Sequence, residues 1–309
     1  MKKVLLFFFL LFNASLIFAQ SSFVGLEFSN DVWHRTDRYY TQGLRLSYAN
    51  NKLTKPFESF LPRLKDSLGY SIAQIDLFQD IYTPSVYNTN VFDPQDRPYS
   101  ATLGFSYRYI KLTNNKKNML QLNAVFGIIG KAALGKYIQN GVHEIIENLD
   151  AMGWSYQLRT GVLLNFGVDY EKNLFKLKYL NGSAFGSVDI GSYKTNVKSG
   201  LTLNLSKGIH YTNIPLIPRK SSPFIQTILF KNYASFIMHD ATLQGALFQN
   251  YVYGLEWNEL EPLTFTSQLE YRVRYKNVQL GIINMFLSPE FKYGKSHSWS
   301  TINIVYWIN

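Results

Sequence analysis

Long stretches of this chain alternate strictly between apolar and polar side chains, and that period of two limits the fold more than any other feature. From Tyr99 to Tyr109 the odd positions are Tyr, Ala, Leu, Phe, Tyr and Tyr, while the even ones are Ser, Thr, Gly, Ser and Arg. The pattern returns from Leu158 to Tyr170, again from Leu263 to Tyr275, and in a last run from Trp299 to Ile308 that ends the chain inside a strand. Such long strands, apolar on one side and charged on the other, suit a membrane barrel with lipid outside and a polar lumen inside. A soluble sandwich of carbohydrate-binding type uses shorter strands and would leave the many tyrosines on the wetted side. Candidate strands fall at 22–28, 41–49, 70–80, 99–112, 118–127, 156–170, 173–182, 194–206, 223–233, 261–275, 277–287 and 298–308. These twelve predict an all-β, twelve-stranded antiparallel transmembrane β-barrel.

The first nineteen residues read as a signal peptide: Lys2 and Lys3 form the basic region, Val4 to Phe12 the apolar core, and Ala19-Gln20 the cleavage point. Residues 20–309 then form one barrel domain, because no linker rich in Pro, Gly or Ser divides them. There is no cysteine, which excludes disulfides, thiolate nucleophiles and cysteine-based zinc sites. The formal charge of +10, or +8 once the two signal lysines are removed, favours a polyanionic partner. Export argues against nucleic acid and for a phosphate-rich membrane surface.

With both termini in the periplasm, strand parity puts the connections at 29–40, 81–98, 128–155, 183–193, 234–260 and 288–297 at the extracellular rim. Short turns at 113–117, 171–172 and 276–277 lie on the other side, with two longer proline-containing connections at 50–69 and 207–222. One stretch, Ala132 to Leu149, reads as a short helix in an extracellular loop, because Leu134, Ile138, Val142, Ile145 and Leu149 recur at helical spacing. Gln139, His143 and Glu147 form a polar stripe at i, i+4 on the same helix.

Three outer connections therefore gather Asn30, Asp31, Asp37 and Thr41, then Asp80, Asp93, Asp96 and Arg97, then Gln139 and His143, at one rim. Ester hydrolysis needs a base to activate water and a positive centre for the developing oxyanion. His143 is the natural base, and a cation held by the oxygens of Asp31 and Asn30 the natural electrophile. Spacing alone leaves the bland alternatives open: a solvated helix histidine, an Asn-Asp turn, and rim ion pairs at Asp37-Arg38 and Asp96-Arg97.

The segments Glu27–Asp31, Thr36–Tyr48, Gln79–Ser85, Asp96–Ser100, Gly127–Gly130 and Gln139–His143 resemble, in order, the outer-membrane lipid A 3'-O-deacylase family. The resemblance is specific over residues 22–160 and continues beyond only as barrel periodicity. It implies a calcium-assisted hydrolase of the cell outer membrane, with a mechanism like that of secreted phospholipase A2. Its site would lie between the barrel wall and the loop helix and face the outer leaflet, removing an ester-linked 3'-acyl (acyloxyacyl) chain from the lipid A of lipopolysaccharide. His143 would activate water, Asn30 and Asp31 would serve the Ca2+ and oxyanion site, Thr41 would share the cleft, and Gln139 would support the orientation of the histidine. A lysine that the resemblance calls for after Tyr82-Thr83-Pro84-Ser85 is absent from Val86 to Phe92. The acid that it places six residues after His143 falls on Leu149, with Asp150 or Glu147 nearest, and Asp150 is the third metal ligand expected. The alternative is a non-catalytic barrel, either a narrow pore or a lipopolysaccharide-binding structural protein, with Arg108, Arg159, Asp169, Glu270, Arg272 and Arg274 pairing inside the lumen.

Overall fold

Alternating side chains cannot bury both faces of an open sheet in lipid without leaving edge amides unpaired, so such a sheet must close. The computed structural model describes residues 22–36, 38–60, 70–112, 118–145, 147–207, 224–247 and 252–308. Its strands are β1 (Ser22–Asn30), β2 (Tyr39–Asn50), β3 (Tyr70–Thr83), β4 (Ser100–Leu112), β5 (Asn118–Ile129) and β6 (Gly161–Lys176). They continue as β7 (Leu180–Gly191), β8 (Lys194–Lys207), β9 (Phe224–Asp240), β10 (Leu263–Tyr275), β11 (Val278–Leu287) and β12 (His297–Ile308). Among the described residues these twelve form a closed barrel in which each strand pairs with its sequence neighbours and β1 pairs antiparallel with β12, from Ser22 opposite Ile308 to Asn30 opposite Ser300. No helix among them is long and apolar enough to cross a membrane. The signal-peptide segment, Asp37, the turn 113–117 and the connection 208–223 lie outside the described residues.

The alternation resolves as expected on most strands. On β4, Phe105 faces out while Ser106 and Arg108 face the lumen and bond the buried Asp76 carboxylate at 2.6 and 2.7 Å. Ser47 and Gln74 complete that cluster at 2.7 and 2.6 Å. Arg272 pairs with Glu270 at 2.7 Å, and Arg274 lies 4.5 Å from the Trp307 ring centre. Arg159 departs from the expectation: it is exposed in the connection before β6 and takes no part in the lumen.

The barrel is filled at both ends. Near the periplasm Phe23, Ile72, Ile110, Leu112, Met119 and Trp307 pack together on the inner face of β12 and β1–β5. At the outer end the connection after β9 turns inward as a buried short helix, Ala241–Gln244. Arg97 holds it there, donating to Thr242 Oγ1 at 2.6 Å and pairing with Glu290 at 2.5 Å over the Tyr82 ring. Burial works to discharge this guanidinium, but the carboxylates of Glu290 and Asp240 outweigh it and raise its pKa. Lys194 and Asp240 form a second bridge beside it, at 2.9 Å.

Three strands differ most from those read in the sequence, and one of them, expected at 223–233, runs on to Asp240 as β9 and takes up the start of the connection expected at 234–260. The strand expected at 156–170 begins at Gly161 and runs on to Lys176, and its partner spans Leu180–Gly191 in place of 173–182. Leu158 alternates like a strand residue but is buried with Ile129, Leu163 and Ala246 beneath the outer loops. Glu171-Lys172 looks like a turn, yet Glu171 is a buried partner of Ser183 across the β6–β7 pair, and a bulge between Asn173 and Phe175 carries the strand onward. The expected outer connection 183–193 is consequently only a two-residue turn, Ser192-Tyr193.

Candidate active site

The connection between β5 and β6 leaves the wall at Gly130, whose φ of 92° is natural only to glycine, since a Cβ there would come within 2.6 Å of the Arg159 backbone. A 3-10 turn at Lys131–Ala133 follows, then Leu134 at φ 62°, then helix α2 (Gly135–Ile145); the label α1 is kept for the periplasmic helix Lys55–Phe60. The single helix expected over Ala132–Leu149 is thus shorter at both ends. Gly135 permits contact with the barrel, because a Cβ would meet the Ala101 methyl and the Trp154 ring at 2.5 Å. Ile81, Tyr99 and Ala101 of the outer wall pack with Ala133, Ala151 and Trp154 of the loop, and Gln79 Nε2 donates to the Ala133 carbonyl at 2.6 Å.

The helix sits with its polar stripe against the barrel and its apolar residues outward. Gln139 is 2% exposed and His143 5%, whereas Ile145 is 82% exposed and Leu134, Tyr137 and Ile138 also face out. Trp154 Nε1 donates to Gln139 Oε1 at 2.9 Å, and the buried Gln139 Nε2 has no hydrogen-bond partner. His143 Nδ1 lies 2.5 Å from the Leu149 carbonyl oxygen. A carbonyl can only accept, so Nδ1 carries the proton and Nε2 of the neutral ring keeps the basic lone pair. The Tyr87 ring stands edge-on to the imidazole at 5.6 Å. Tyr87 itself is fixed by Tyr99 Oη and Met152 N–H, which donate to its carbonyl at 2.6 and 3.0 Å.

The remaining candidates stand at the outer end of β1 and β2. Asn30 Oδ1 accepts from Val32 N–H at 2.7 Å, which makes Asn30 a turn former as well as a possible oxygen ligand. Asp31 is 1% exposed, and its Oδ2 accepts from Thr36 Oγ1 at 2.8 Å and from Arg38 N–H at 2.9 Å. Thr41 lies in the bulge between Tyr40 and Gln42 and donates to the carbonyl of Ile81 at 3.3 Å, placing it on the patch that Trp154 and Gln139 share. Gln139, His143 and Thr41 are therefore gathered around one stretch of outer wall, and the Asn30-Asp31 pair occupies the neighbouring connection. Asp150 is exposed on the segment that leaves the helix. No group of three or more His, Cys, Asp or Glu is arranged to hold a metal among the described residues. The donors of Asn30 and Asp31 are hard oxygens with one buried carboxylate, which fits calcium in kind, although two side chains supply fewer than the roughly six to eight oxygens that it takes.

Several members of the site escape a reading of the sequence. Leu149, where an acid was expected, contributes its main-chain oxygen, and no side-chain rule identifies that role. Trp154 meets Gln139 from fifteen residues away across an irregular loop. Asp96 and Arg97 are not a rim ion pair: Asp96 Oδ2 accepts from Ser85 N–H and Oγ at 2.7 and 2.5 Å, while Arg97 turns into the lumen.

A comparison with curated proteins finds no match. Among solved structures, LpxR from Salmonella typhimurium superposes with a TM-score of 0.74 at 20% identity, covering 92% of this chain and 99% of that one. The NanC porin aligns at 8% identity and TM-score 0.43, covering 92% and 98%, and the KdgM porin at 6% and 0.41, also covering 92% and 98%. The family described as outer membrane protein LpxR matches residues 4–308. The chain belongs to this LpxR family of outer-membrane barrels, the lipid A 3'-O-deacylases that its motifs resemble.

Proposed function

We propose that this outer-membrane protein hydrolyses the ester that joins the 3'-acyl (acyloxyacyl) chain to lipid A, at the cleft between helix α2 and the β2–β4 wall, open to the outer leaflet. The observation that carries the reading is the inverted helix: its Gln139 and His143 are buried against a lipid-facing wall while its apolar side chains face outward, where acyl chains would lie. A merely solvated loop helix would hide the apolar side.

A water held at His143 Nε2 adds to the ester carbonyl and gives its proton to that nitrogen. The Nδ1–H bond to Leu149 fixes the ring and steadies the imidazolium that forms. Collapse of the tetrahedral intermediate breaks the bond to the sugar oxygen, which takes the proton back from Nε2, leaving a free fatty acid and a sugar hydroxyl. Gln139 Nε2, a buried donor whose amide is held by Trp154, is suited to an acceptor oxygen of the substrate. Asp31 and Asn30 would hold calcium, with Asp150 the remaining acid of the set. When bound, the ion supplies a positive centre for the charge developing on the carbonyl oxygen.

Purified protein reconstituted with lipid A, in calcium or in chelator, tests this by mass spectrometry. Loss of the 3'-chain mass in calcium alone is expected. Unchanged acylation in calcium, across several lipid A types, would overturn the proposal.

A further inference from the structure

The wall that carries the site is covered from the periplasmic side as well. Connection 51–60 folds back and lays α1 on the outer face of the barrel: the Phe57 ring stacks on Tyr107 and Tyr109 at 5.6 and 5.8 Å, and Tyr107 Oη donates to the Leu53 carbonyl at 2.8 Å. On β4 the outward residues Ala101 and Tyr109 are both fully buried, one beneath the α2 loop and the other beneath α1. On β10, six strands away on the opposite wall, exposed apolar side chains run from Phe265 to Tyr275. At about 3.4 Å per residue the β10 run covers roughly 34 Å of strand, which on a tilt of about 40° matches an apolar band of about 25 Å. On β4 only Phe105 of the outward side chains is exposed, since Leu103 packs against the α2-loop cluster and Tyr107 lies under α1.

Neither cover can lie wholly in hydrocarbon. The lower one carries Lys55 and Glu58, and the upper one exposes Lys131, Lys136 and Glu144 and has non-α-helical backbone at 130–134 and 147–160, whose polar groups require water or headgroups. We propose that the bilayer meets a shortened apolar band on the β3–β4 sector, bounded by α1 and the α2 loop, and is locally thinned beneath the site. Lipids bordering this sector pack poorly, which lowers the cost of drawing an acyl ester up to the cleft. The thinning stands on the barrel alone, and its link to catalysis rests on the function proposed above.

Because the chain has no cysteine, single nitroxides can be placed without altering the background. Leu77→Cys and Phe105→Cys would report the covered sector and Leu269→Cys the opposite wall, in phosphatidylcholine vesicles of short, medium and long chain carrying a minor share of lipid A. Severalfold greater access of a water-soluble relaxant at residues 77 and 105 than at 269 is expected, with Phe57→Ala shifting both toward the value at 269. Equal depths on the two walls would overturn the thinning. Unequal depths with a deacylation rate that ignores both bilayer thickness and Phe57→Ala would overturn the catalytic link. Unequal depths with no deacylation in any vesicle would leave the thinning standing and count against the proposed function.

Discussion

In the proposed mechanism His143 would act as a base only while Nδ1 is committed as a donor, and the Leu149 main-chain oxygen is placed to make that commitment. Replacing His143 by Ala should lower deacylation by at least about 100-fold while leaving the heat-modifiable migration of the barrel intact on a gel. Trp154→Phe keeps the ring but removes the Nε1–H that holds Gln139, and should lower kcat by roughly tenfold with little change in KM, read from initial rates. Legibility at this scale divides by the kind of group. Helical spacing put Gln139 and His143 in line on one polar stripe, while their expected roles came from the family resemblance. Their partners were not readable, because a main-chain carbonyl has no sequence signature and Trp154 arrives through loop geometry. Arg97 was misread because an Asp-Arg pair in a loop looks solvated, whereas its guanidinium crosses to Glu290, 193 positions along the chain.

Helix α2 depends on two close approaches that sequence periodicity cannot reveal. Its apolar repeat was legible, but the side it would bury was not, since the usual rule assumes water outside and a core within. Beside a membrane wall the rule reverses, so Ile145 faces out and His143 in. Gly135→Val should push the helix off Ala101 and Trp154, abolishing turnover while circular dichroism still reports a full β-barrel. The β6–β7 boundary was lost for a related reason. Charged residues near the periplasmic end of a barrel strand can face the lumen, as Glu171 does, so Glu-Lys-Asn need not mark a turn. Strands with uninterrupted alternation, such as β10 and β12, were placed to within two residues.

The barrel as a whole was readable from the alternation and the even strand number, whereas its filling was not. Packing at both ends predicts silence in a planar bilayer: the reconstituted protein should show no steady conductance, and frequent large steps would contradict the filled lumen. Arg97→Ala would leave the half-buried Glu290 without its partner and Thr242 without its donor, and should destabilise the fold by about 3 kcal/mol, measured as a lower urea midpoint. The apolar cluster of Phe23, Ile72, Ile110, Leu112, Met119 and Trp307 bears on the fate of the product under the proposed function. A fatty acid freed outside the wall would meet an apolar cluster at the far end of the lumen and a buried helix at the near one, and would stay among the neighbouring lipids or be shed from the cell. The proposed reaction would then give up carbon at the surface without recovering it through the barrel.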